Sequence, residues 1–179
     1  VSIISLLCLA SCAQDEKLIL DPDNFVASSW KQTFDDVFVL DKNAAETDLA
    51  VIEWTPAQFG YDVIISYAIQ LAVKKEGVDV KDLTYTTFAI TNENKYTVKV
   101  KDLNAALLSA GAIKRRPTDI VMRVEATIST AYASLTSSIS EFNVTTFSSD
   151  PDLLYVIGDY TDFTTNNAEV LYSPGWNGE

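Results

Sequence analysis

Asp119-Ile120-Val121-Met122-Arg123-Val124-Glu125-Ala126-Thr127-Ile128 alternates apolar with polar side chains. Ile120, Met122, Val124 and Ala126 fall on one side, and Arg123, Glu125 and Thr127 on the other. Successive side chains of an extended chain point to opposite faces, so this run reads as a strand with one face in a core and one in water. Upstream, Asp62 to Val73 repeats the pattern. There Ile65, Tyr67, Ile69 and Leu71 share a face, while Ser66 and Gln70 point away. Asp48 to Trp54 places Ala50, Ile52 and Trp54 together. Val37 to Leu40, Thr84 to Ile90 and Tyr96 to Val100 are shorter β-like runs, and a last strand spans Ser138 to Thr146.

One segment departs from this period. In Asp102 to Gly111, Leu103, Ala106, Leu107 and Ala110 recur at helical spacing, with Asp102 suited to cap the start and Gly111 the end. About seven strands with one short crossover helix predict an all-β fold. It is a β-sandwich of the immunoglobulin or fibronectin type III kind, placed at 34–147. Trp54 and Tyr67 are expected as its buried aromatic pair.

The 179 residues suffice for one sizeable core. Hydrophobic residues make up 47% and charged residues 21%, a globular balance. Twenty-five acidic side chains against 13 basic ones leave a net charge of −12, which repels phosphate backbones and argues against nucleic-acid binding. With no histidine, the commonest general base and metal ligand is missing, as is the usual Ser or Cys triad. Both cysteines, Cys8 and Cys12, stand at the N-terminal end, so the body offers no thiol, no thiolate metal site and no internal disulfide. No catalytic residue, metal site or cofactor is assigned.

Val1 to Leu9 is apolar, uncharged and much shorter than the roughly 20 residues that span a bilayer. It reads as the h-region of a secretory signal. Leu9-Ala10-Ser11-Cys12 follows and resembles a bacterial lipobox, which makes Cys12 the candidate lipidation site. Several acyl chains at about 0.8 kcal/mol per buried CH₂ give a stable membrane anchor. Asp15 and Glu16, just behind Cys12, resemble the surface-export signal of Bacteroidota lipoproteins. The expected organisation is a signal remnant at 1–12, a tether at 13–33, the sandwich at 34–147, and from 148 the start of a second domain. The turn-rich Ser148-Ser149-Asp150-Pro151-Asp152 marks that last boundary.

Other chemistry is sparse. There is no Gly-rich phosphate loop. Asp21-Pro22-Asp23-Asn24 opens like a calcium loop but lacks its Gly and its terminal Glu. Glu53, beside Trp54, has no evident second carboxylate with which to act as a glycosidase. Lys114-Arg115-Arg116 reads as a solvated turn before Pro117.

Several pieces together resemble the SusE family, outer-membrane lipoproteins of starch and other glycan utilisation systems. They are Ile52-Glu53-Trp54-Thr55-Pro56 with Phe59-Gly60, then Tyr67-Ala68-Ile69-Gln70-Leu71, then Leu103-Asn104 with Leu107-Leu108 and Gly111, and Met122-Arg123-Val124-Glu125-Ala126. The tail, Leu154 to Tyr160 followed by Leu171-Tyr172-Ser173-Pro174, resembles the opening of the carbohydrate-binding domain that follows in such proteins. The resemblance implies a non-catalytic, fibronectin-like spacer that lifts sugar-binding domains off the outer membrane. It implies a glycan, starch or another polysaccharide, as the partner of the full-length protein. Phe163 stands where the tail motif often carries Trp, and Trp176 is a further candidate platform for a sugar ring. Two alternatives stay open: docking onto an outer-membrane TonB-dependent transporter complex, and service as an accessory domain of a surface glycoside hydrolase.

Overall fold

The computed structural model describes residues 21–32, 37–130, 132–148, 153–159, 162–164 and 168–172. Its strands are β1 (Val37–Val39), β2 (Asp48–Glu53), β3 (Ser66–Val73), β4 (Thr86–Thr91), β5 (Lys95–Lys99), β6 (Pro117–Thr127), β7 (Leu135–Thr136), β8 (Ser140–Thr145), β9 (Leu153–Val156) and β10 (Glu169–Tyr172). One helix, α1 (Val100–Ser109), joins β5 to β6. The run that opened the sequence reading is β6, the middle of the larger sheet, whose order is β1-β8-β6-β3-β4 with β7 also on β6. The smaller sheet pairs β2 with β5. All these pairings are antiparallel except β1 on β8. Second and fifth strands in one sheet, with third, sixth and eighth in the other, is the division of an immunoglobulin-type sandwich. The all-β sandwich with one short helix is therefore the architecture.

The alternation explains the layers. Ile52 and Val98 of the smaller sheet, with Trp54 just past β2, join Tyr67, Ile69, Leu71, Met122, Val124 and Val144 of the larger in one buried cluster. Trp54 and Tyr67 meet edge to face, their ring centroids 5.5 Å apart. On the outer face of the larger sheet, Gln70 accepts from Arg123 Nε and donates to Glu125, both at 2.7 Å. The Arg123 guanidinium lies 3.6 Å over the Tyr85 ring, which keeps this face polar but ordered. Ala72 and Val121 are also fully buried because Leu83 folds back over them in a second, small core. Period two is lost at these positions since both faces of the sheet are covered there.

Three expectations change in detail. The strand expected from Asp62 begins only at Ser66, because Gly60, at φ +81°, turns the chain and residues 61–65 remain in the connection. The helix begins at Val100, so Asp102 lies in its first turn and does not cap it; the capping position is Lys99 and makes no side-chain bond. An acid there still favours the positive end of the helix dipole. Gly111 ends the helix as expected, at φ +98°. Its N–H donates to Leu108 O at 3.1 Å and that of Ala112 to Leu107 O at 2.9 Å, a Schellman motif.

The 13–33 span is expected as a tether, but its residues 25–32 lie on the body. Val26 exchanges both backbone bonds with Gln58, at 2.9 and 2.8 Å. Farther along, Thr55 N donates to Ser29 O at 2.8 Å and Lys31 N to Glu53 O at 3.1 Å, so this stretch runs antiparallel past the end of β2. Ser28 is buried, Phe25 packs on Phe59 at 5.0 Å, and Trp30 Nε1 donates to Ser138 O at 2.9 Å. Two aromatic rings among small polar residues supply enough apolar surface to hold it down.

Strand directions define two poles. The chain comes in beside Gln58, at the pole where Ser66 faces Thr127. It leaves past Thr145, which faces Pro117 at the opposite pole. There Asn104, on α1, clamps the outgoing Phe147: its Nδ2 donates to Phe147 O at 3.2 Å and its Oδ1 accepts from Phe147 N at 2.9 Å. Beyond this, β9 and β10 pair with each other and with no other strand among the described residues.

Candidate functional site

The incoming pole carries an open recess, and the connection between β2 and β3 builds it. Trp54, fully buried, packs edge to face on Trp30 at 5.9 Å. Ala57 and Phe59 are also buried, so alternate residues of this connection are pinned to the core. Gly60 then reverses direction, leaving Tyr61 48% and Ile64 82% exposed. Across from them stands the turn between β4 and β5. It is fastened to Trp54 twice: Trp54 N donates to Asn94 O at 3.0 Å, and Asn94 Nδ2 donates to Trp54 O at 3.1 Å.

The space between is an open recess of about 750 Å³. Gln58, Asp62, Asn92 and Asn94 line it with carboxamides and one carboxylate, Tyr61 and Ile64 with apolar surface, and no Lys or Arg is among its described lining residues. Tyr67 closes its inner wall, its hydroxyl accepting from the Ala57 amide at 3.2 Å. Burial pushes the Tyr67 phenol above the ordinary tyrosine value, and the Ala57 hydrogen bond opposes that shift. The arrangement can hold hydrogen-bonding ligands of neutral character. The recess leaves little mark in the sequence, because Asp62 to Ile65 has the composition of the first residues of a strand. Pro56 and Gly60 were the available signal for a turn.

The residues expected to carry function are not brought together. Cys12 and Trp176 lie outside the described residues. Phe163 sits between β9 and β10 at φ 55°, its N–H donating to Gly158 O at 3.2 Å and its ring 69% exposed. Glu53 pairs with Lys31 at 3.3 Å across half-exposed surface. Asp21 caps a 3₁₀ turn over Pro22–Asn24, taking bonds from Asp23 N at 3.2 Å and Asn24 Nδ2 at 2.8 Å. Arg115, at φ 61°, turns the chain and donates its backbone N–H to Thr146 O at 3.0 Å. Among the described residues no group of three or more Cys, Asp or Glu is placed to hold a metal ion.

The family model described as SusE outer membrane protein matches residues 14–125, well over half of the chain. The match runs from behind the lipobox-like cysteine into β6, through every strand that frames the recess. No curated protein matches the chain. An all-β sandwich and a match of this extent agree on one assignment, which also places the protein in the outer membrane, at the cell surface: the chain belongs to the SusE outer membrane protein family.

Proposed function

We propose that this chain is a non-catalytic module of a surface glycan-binding lipoprotein, anchored through an acylated Cys12, that holds sugar-binding domains away from the outer membrane. One observation carries the spacer reading. The chain comes in at one pole of the sandwich, beside Gln58, and goes out at the other, past Thr145 and Phe147. A domain threaded end to end adds its own length to the reach of whatever follows. β6, at 11 residues, implies a rise of about 35 Å between poles. In this reading residues 148–179 open the carbohydrate-binding domain, with Phe163 and Trp176 as candidate platforms.

The test is made on cells producing the full-length protein. Cys12→Ala should abolish palmitate labelling and release the protein from the membrane fraction. Removal of residues 25–147 should leave labelling intact and lower the capture of high-mass glycan at the cell surface. Capture unchanged by that deletion would refute the spacer role. A docking role draws on Val37 and Val39 of β1 and Ile90 of β4, exposed on the two edge strands of the larger sheet. Enrichment of a TonB-dependent transporter in pull-downs, lost on Val37→Lys with Val39→Lys, would favour it.

A further inference from the structure

We infer that the recess at the incoming pole is itself a binding site for a neutral sugar ring of a glycan chain. This goes beyond the spacer role, which asks for no ligand on this domain. The lining selects the ligand class. With no Lys or Arg among the described wall residues and with Asp62 present, a phosphate, sulfate or uronate would meet no counter-charge from them. Gln58, Asn92 and Asn94 make the wall too polar for an acyl chain. A sugar ring presents apolar C–H faces and a rim of hydroxyls, and so matches both kinds of surface at once. Tyr61, half exposed, offers the aromatic face, and the planar carboxamides and carboxylate offer pairs of polar atoms to neighbouring hydroxyls.

Tyr67 supplies a second, independent pointer. It is 3% exposed, it lines the recess, and its hydroxyl oxygen already accepts from the Ala57 amide. No described residue accepts the phenol proton. A buried donor without an acceptor is costly, and a ligand hydroxyl in the recess would satisfy it. The volume falls within the range of about 300–1,000 Å³ typical of small-molecule sites. Two sides of the recess are fixed before any ligand arrives, since Ala57 and Phe59 are core residues and the Asn94 turn is tied to Trp54 from both sides. Little ordering is then left for binding to overcome.

The experiment is native affinity electrophoresis of the purified chain in gels containing amylopectin, galactomannan, xylan or laminarin, with polygalacturonate as the charged comparison. At least one neutral polysaccharide should retard the chain. Tyr61→Ala should weaken that retardation about tenfold, the cost of deleting one aromatic face. Tyr61→Phe should retain it, and so should Phe163→Ala with Trp176→Ala. Circular-dichroism melts within about 2 °C of the parent would show that Tyr61→Ala, a half-exposed position, still folds. Retardation that survives Tyr61→Ala and disappears with Phe163→Ala and Trp176→Ala would overturn the inference while leaving the spacer role standing. No retardation in any neutral gel, or equal retardation by polygalacturonate, would also overturn it.

Discussion

Replacing Asn104 tests how the sandwich holds the chain that leaves it. The side chain is 4% exposed and closes a two-bond ring with the backbone of Phe147, at 3.2 and 2.9 Å. In Asn104→Ala both bonds are lost, and the Phe147 amide and carbonyl lose their partners. A hydrogen bond contributes about 1 kcal/mol net, and a buried group left unpaired costs about 1–3 kcal/mol. Phe147 is only half-buried, so water can rescue part of that cost. The expected loss is about 2–3 kcal/mol, which at about 4 °C per kcal/mol lowers Tm by about 8–12 °C. Differential scanning calorimetry reads the shift, and hydrogen exchange at the Phe147 amide reads the clamp directly. Asn104→Asp sharpens the test. Its carboxylate can accept from Phe147 N but cannot donate to Phe147 O, and burial raises its pKa. The protonated form restores the donor, so the stability it contributes is present below the ordinary aspartate value of about 3.9 and is lost as pH rises through the raised value. A loss under about 0.5 kcal/mol for Asn104→Ala, or pH-independent stability for Asn104→Asp relative to wild type, would refute the reasoning.

Other outcomes follow from the same geometry. Gly111→Ala meets no atom within 4 Å, so its cost is the left-handed backbone alone, about 1–2 kcal/mol by urea denaturation. No measurable loss there would deny the Schellman stop its role. The Lys101 ammonium, 2.6 Å from Glu46, holds that carboxyl below its ordinary value, first through the hydrogen bond and then through its charge. Its contribution to stability is thus present above the ordinary glutamate pKa and is lost as pH falls through the lowered one. NMR titration should show the Glu46 midpoint rising in Lys101→Met and in high salt; an unchanged midpoint would disprove the pairing.

The legible part of this fold was the part written in alternation. Most of β6, and β3 as far as Leu71, could be assigned because each is covered on its inner face and more exposed on its outer one, the condition that makes side chains alternate. The same signal failed at Val121 and Ala72, where Leu83 covers the outer face from a distant loop. It failed again between Asp62 and Ile65, where a hydrophobic, β-branched run is held out of the sheet by the turn at Gly60. The stretch around Phe25 and Trp30 looked like a polar spacer because its partners, Phe59 and Ser138, lie far along the chain.

By itself, then, the order of residues determined the period-two strands, the helix and its glycine stop, the acidic charge and the absence of histidine chemistry, all of which are local or additive properties. Only the tertiary structure decided which residues share the recess. Gln58 and Tyr61 come from one connection, Asn92 and Asn94 from another, and Tyr67 from a strand between them. Likewise only the tertiary placement of α1 brought Asn104 to Phe147, just past the end of β8. Such neighbours are set by sheet order and register, which depend on the free energy of the whole core and leave no periodic mark on any one segment.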